Sequence, residues 1–103
     1  MTQKENYQSP FTKRLKEARK ETGLSQKQLG INAGFDEFSS SARMNQYERG
    51  KHTPDYLAIK QISTALNLPT AYLFTEEDDL AELIKKYSRL SAKEKKALLK
   101  SLD

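Results

Sequence analysis

No cysteine and no tryptophan occur among the 103 residues, and there are only three prolines, four glycines and one histidine. Each shortage closes off a class of function. Without cysteine there is no disulfide framework, no thiolate metal site and no cysteine nucleophile. A single histidine excludes a His-rich metal site and most imidazole acid–base chemistry. The expectation is therefore no enzyme, no metal and no cofactor. Charged residues make up 31% and the mean hydropathy is −0.84, which leaves no room for the run of about 20 apolar residues that spans a bilayer. The opening Met1-Thr2-Gln3-Lys4-Glu5-Asn6 lacks the apolar stretch of a secretory signal. Together these point to a cytoplasmic chain with one small core and no membrane partner.

What is present is positive charge, unevenly placed. Residues 1–53 carry ten Lys and Arg against six acids, while residues 54–103 carry eight of each. The whole net charge of +4 thus falls in the first half, and the isoelectric point is near 9.3. Such an asymmetry suggests a polyanionic partner on that side.

Apolar periodicity is helical throughout, and no alternating β-branched run occurs. Residues 1–8 are polar and aperiodic, so residues 1–9 read as a flexible N-terminal arm. Ser9-Pro10 then sets an N-cap before a first-turn proline. Phe11, Leu15, Ala18 and Thr22 follow on one helical face, and Gly23 stops it. Ser25 caps a short second helix with Leu29 and Ala33 inward and Gly34 at its end. The Ser39-Ser40-Ser41 cluster can cap a third, whose apolar face is Met44 and Tyr47. Thr53-Pro54-Asp55 repeats the cap-then-proline start for a fourth, with Leu57, Ala58, Ile62, Ala65 and Leu66 inward. Asn67-Leu68-Pro69 turns into a short fifth helix ending near Leu73-Phe74.

Beyond it, Glu76-Glu77-Asp78-Asp79 has no EF-hand spacing and reads as acidic bias at a helix start. Leu80, Leu83, Ile84 and Tyr87 stripe that sixth helix, and must bury against the domain or against a second copy. Ser91-Ala92-Lys93-Glu94 is a capping box before a last helix. There Lys93, Lys95, Lys96 and Lys100 form a solvated face opposite Leu98, Leu99 and Leu102. The fold class is all-α: a five-helix domain over residues 10–75 and a helical extension over residues 76–103.

Helix, glycine-containing turn, helix is the helix-turn-helix pattern. With Leu15-Lys16-Glu17-Ala18-Arg19, Leu24-Ser25-Gln26, Tyr47-Glu48-Arg49-Gly50-Lys51, Pro54 and Leu66-Asn67-Leu68-Pro69, the chain resembles the Cro and phage-repressor type of DNA-binding domain, the XRE family, over roughly residues 10–74. The resemblance implies a lambda-repressor-like fold and an ion pair between Arg19 and Glu48 beneath the recognition helix. Two features depart from the family pattern. Gly30 stands where alanine is usual, at the abutment of the two motif helices. The segment from Gly34 to Ser39 is longer than the usual three- or four-residue turn, and it carries Asp36 and Glu37.

In this motif the second helix enters the major groove and the first crosses the backbone. With Met44, Tyr47 and Glu48 inward, a 100° step per residue turns Ala42, Asn45, Gln46 and Arg49 outward, with Ser41 and Arg43 flanking. The expected base-facing set is Ser41, Ala42, Arg43, Asn45 and Gln46, whose side chains match the hydrogen-bonding and methyl patterns of base edges. The expected phosphate set is Ser25, Gln26, Gln28, Ser40, Arg49, Lys51, His52 and Thr53. The functional expectation is a sequence-specific DNA-binding regulator, a repressor, acting as a homodimer on an inverted repeat of double-stranded DNA. No small-molecule effector is expected. The alternative is an antitoxin-like or other protein-interaction module on the same fold.

Overall fold

The computed structural model describes residues 9–103; the arm expected over residues 1–9 falls outside it but for Ser9. Among the described residues there are seven helices: α1 (Phe11–Thr22), α2 (Gln26–Asn32), α3 (Ser40–Glu48), α4 (Tyr56–Ala65), α5 (Thr70–Leu73), α6 (Asp78–Ser88) and α7 (Ala92–Ser101). No helix is long and apolar enough to cross a membrane among those residues.

The core is built where one apolar face from each of α1 to α5 converges. Leu15, Leu29, Met44, Ile62 and Leu73 are fully buried at its centre, with Phe11, Ala18, Phe35, Tyr47 and Tyr72 around them. The helix starts follow local capping chemistry. Ser9 Oγ accepts from Phe11 N at 3.1 Å, Ser25 Oγ from Gln28 N at 3.0 Å, and Asp55 Oδ1 from Ala58 N at 2.9 Å. The expected capping box closes at both ends, with Ser91 Oγ accepting from Glu94 N and Glu94 Oε1 accepting from Ser91 N.

Two helix starts differ from expectation. At α4 the cap is Asp55 rather than Thr53, and Pro54 is buried outside the helix. Ala58, Ile59 and Ile62 face inward, and Leu57, expected there, is 66% exposed. At α3 the N-cap Ser39 makes no side-chain capping bond. Asp36 acts instead: its carboxylate accepts from Phe38 N at 3.0 Å and Ser39 N at 3.3 Å. Thr22 also lies outside the core, its hydroxyl donating back to the Arg19 carbonyl.

Of the two burial modes expected for the extension past residue 75, part of α6 folds back on the domain. Ala81 of α6 is buried in the common core and Ile84 packs against it. Arg14, on the same face of α1 as Phe11 and Leu15, is buried and donates to the Thr75 carbonyl at 2.8 Å and the Glu76 carbonyl at 3.0 Å. Its guanidinium also pairs with Asp78 at 3.0 Å. A buried arginine thus ties the entry of α6 to α1. By contrast α7 buries no residue at all.

Candidate nucleic-acid interface

Gly30 and Ser40 set how closely α2 and α3 approach. A Cβ on Gly30 would lie 1.9 Å from Ser40 Oγ, so any larger residue would have to displace that hydroxyl. Ser40 fills that space: it is fully buried and its hydroxyl donates to the Lys27 carbonyl at 2.8 Å. The expectation that Ser40 meets a phosphate is therefore corrected, since its one donor joins the two motif helices.

The C-terminal half of α3 is held by the Arg19–Glu48 ion pair, which is bidentate. Arg19 Nε and Nη2 both donate to the Glu48 carboxylate, the second at 3.1 Å, and Nη1 donates to the Leu24 carbonyl at 2.9 Å. The Glu48 side chain is 1% exposed. The hydrogen bond it donates to Glu48 raises the Arg19 pKa, against the opposing effect of burial. Gln26 Nε2 adds a further donor to Glu48 at 3.1 Å, and Gln26 Oε1 accepts from Asn45 Nδ2 at 3.5 Å. One network thus links α1, α2 and α3.

These bonds sort the expected site residues. Ser41, Ala42 and Gln46 are exposed and none donates or accepts a side-chain bond among the described residues, which leaves that face outward. Asn45 and Gln26, both half-buried, are engaged in the network beneath that face. Arg43 turns the other way. Its guanidinium lies 3.9 Å over the Phe35 ring, and Nε donates to the Tyr47 hydroxyl at 2.9 Å. Of the expected phosphate group, Ser25, Gln28, Arg49, Lys51, His52 and Thr53 are all exposed. Ser25 Oγ is occupied as an acceptor in its cap, and Gln28 Nε2 donates to Asn32 at 2.8 Å. Arg49, His52 and Thr53 line a cleft of about 450 Å³ together with Phe11, Tyr47 and Phe74.

Arg14 and Phe35 are the structural residues that periodicity alone passes over. Arg14 was detectable in principle, because it occupies the i+3 position of the Phe11, Leu15, Ala18 stripe, a poor place for a charge without partners. Phe35 sits in the long turn, where no period applies.

Two helices abutting through Gly30, the second locked from beneath and presenting a polar outer face, define a helix-turn-helix domain. The helix-turn-helix domain family matches residues 12–79, and the chain belongs to it. A solved structure, "Crystal structure of transcriptional regulator BswR", superposes with a TM-score of 0.82 at 51% sequence identity, covering 89% of this chain and 91% of that one. No curated protein sequence matches this chain. The fold and family are those of DNA-binding transcriptional regulators.

Proposed function

We propose that this chain is a sequence-specific transcriptional repressor that binds double-stranded DNA as a homodimer on an inverted repeat. The observation that carries the reading is the exposed outer face of α3, Ser41, Ala42 and Gln46, held in one orientation by the Arg19–Glu48–Gln26–Asn45 network. A glutamine amide can pair bidentately with adenine, and an alanine methyl can meet a thymine methyl. Ser25, Gln28, Arg49, Lys51, His52 and Thr53 flank that face as phosphate contacts, which fix register rather than read sequence. Arg43, Asn45 and Gln26 act from within, as supports for the reading face.

One such domain offers few base contacts, and two-fold pairing doubles them. The tail supports a second copy as the partner. Leu80, Leu83, Leu99 and Leu102 are exposed in a single chain, and the acids at the start of α6 complement the lysines of α7. Repression follows from occupancy, since a domain of this size blocks a promoter by sitting on it.

Selection of bound duplexes from a random pool tests the reading. The expected result is one motif with two inverted half-sites, bound less tightly as salt rises, with a log–log slope of about −0.9 per neutralised phosphate. A pool that acquires no motif refutes it.

A further inference from the structure

Phe38 is 96% exposed, in a chain whose other turn aromatic, Phe35, is buried. A single exposed apolar side chain on a loose loop carries no message. Phe38 is not on a loose loop. The Asp36 carboxylate accepts from the backbone N–H of Phe38 itself and from that of Ser39, which closes the turn around it. Three residues before it, Phe35 is pinned by the Arg43 guanidinium and meets the Tyr47 ring edge-on at 6.3 Å. Two residues after it, Ser40 is bolted to the Lys27 carbonyl. Three anchors therefore present one phenyl ring to solvent, one residue ahead of the N-cap of α3.

That position is the leading end of the helix whose N-terminal residues face base edges in this motif. Ser41 and Ala42, the exposed residues of the first turn of that helix, follow three and four residues later. The chemistry there selects among possible occupants. The Asp36 carboxylate is spent on the backbone N–H groups of Phe38 and Ser39, so the ring, 96% exposed, is an apolar group that the turn holds out to solvent. Of the groups on base edges, only the thymine C5-methyl is apolar, and a phenylalanine ring is one of its natural contacts.

We propose that Phe38 is a specificity-determining residue that reads a thymine methyl at one position of each half-site. The assignment rests on the DNA-binding reading above, and it extends the reading surface from α3 into the long turn. The turn departs from the usual length, on this account, to place that ring.

Single replacement of each thymine by uracil in the selected duplex removes one methyl at a time and leaves every hydrogen bond intact. The full-length protein should lose about fourfold in affinity at one thymine per half-site, the fold-change expected for one apolar carbon removed from contact. Phe38→Ala should bind the thymine and uracil duplexes equally at that position, and Phe38→Leu should keep part of the discrimination. Both variants should fold, because the side chain is solvated; circular dichroism and the urea midpoint check this. Three results overturn the proposal while leaving the DNA-binding reading intact: a selected site without such a thymine, discrimination that persists in Phe38→Ala, or a Phe38→Ala protein altered in self-association but not in base preference. A pool that yields no preferred duplex removes the DNA-binding reading, and this assignment with it.

Discussion

The body formed by α1 to α5 and the tail formed by α6 and α7 use leucine in opposite ways. Leu15, Leu29, Leu66, Leu68 and Leu73 of the body are buried and its Leu57 is exposed, whereas Leu80, Leu83, Leu99 and Leu102 of the tail are exposed, the last at 72%. Both regions have amphipathic stripes. The body's stripes find each other because short connections bring five helices around one centre. The tail has only two helices and one surface to meet, so Ala81 and Ile84 bury while the remaining leucines face outward. An apolar stripe therefore tells that a helix has a partner, but not whether that partner lies in the same chain.

Breaking the body at its ionic centre should give the largest effect. Glu48→Ala strands the Arg19 guanidinium and removes the acceptor for Gln26, and should cost about 3–5 kcal/mol in urea unfolding. A double variant with a matched apolar pair should recover much of this. Gly30→Ala comes next. The methyl gains about 1 kcal/mol of helix propensity but drives into Ser40 Oγ, and overpacking of about 1–3 kcal/mol should win. Exchanging Ser40 for glycine in the same chain should relieve it, with the urea midpoint as the measure.

The tail should respond in assembly rather than in stability. Leu99→Glu combined with Leu102→Glu should halve the mass measured by light scattering, with the body's unfolding free energy changed by no more than about 0.5 kcal/mol. A smaller effect is expected from acid. Hydrogen bonds from Arg14, then from Lys13, hold the Asp78 carboxyl below its ordinary value of 3.8. A carboxyl depressed in the folded state contributes stability above its unfolded pKa, and loses it as pH falls through the folded one. The attachment of α6 should therefore loosen below about pH 4, and only slightly, because Asp78 is solvent-exposed. Chemical shifts of Ala81 and Ile84 should follow that titration while those of α3 do not.

Much of the body was legible in the sequence because its signals are local. The cap at Ser25, the stop glycines and the inward phase of α3 all follow from neighbours a few residues apart. The Arg19–Glu48 pair was legible through family resemblance. What escaped depends on tertiary placement or on helical phase. In α4, capped by Asp55 rather than Thr53, the buried face includes Ala58, Ile59 and Ile62, and Leu57 lies outside it. Ser40 looked like a surface hydroxyl until the glycine opposite it was seen to need filling. Arg43 was expected to flank the outward face, and its stacking on the Phe35 ring, delivered by an aperiodic turn, carries no periodic signal. Site residues were thus readable as a face, and not as individual roles.

The central claim is that the outer face of α3 reads bases while the network beneath it only holds that face in place. Affinities of the wild-type protein and Gln46→Ala for every single-base-pair variant of the selected duplex test it most directly. The account predicts that Gln46→Ala loses about 1–3 kcal/mol of discrimination at one position per half-site and keeps the wild-type preference elsewhere. An unchanged preference at every position would contradict it.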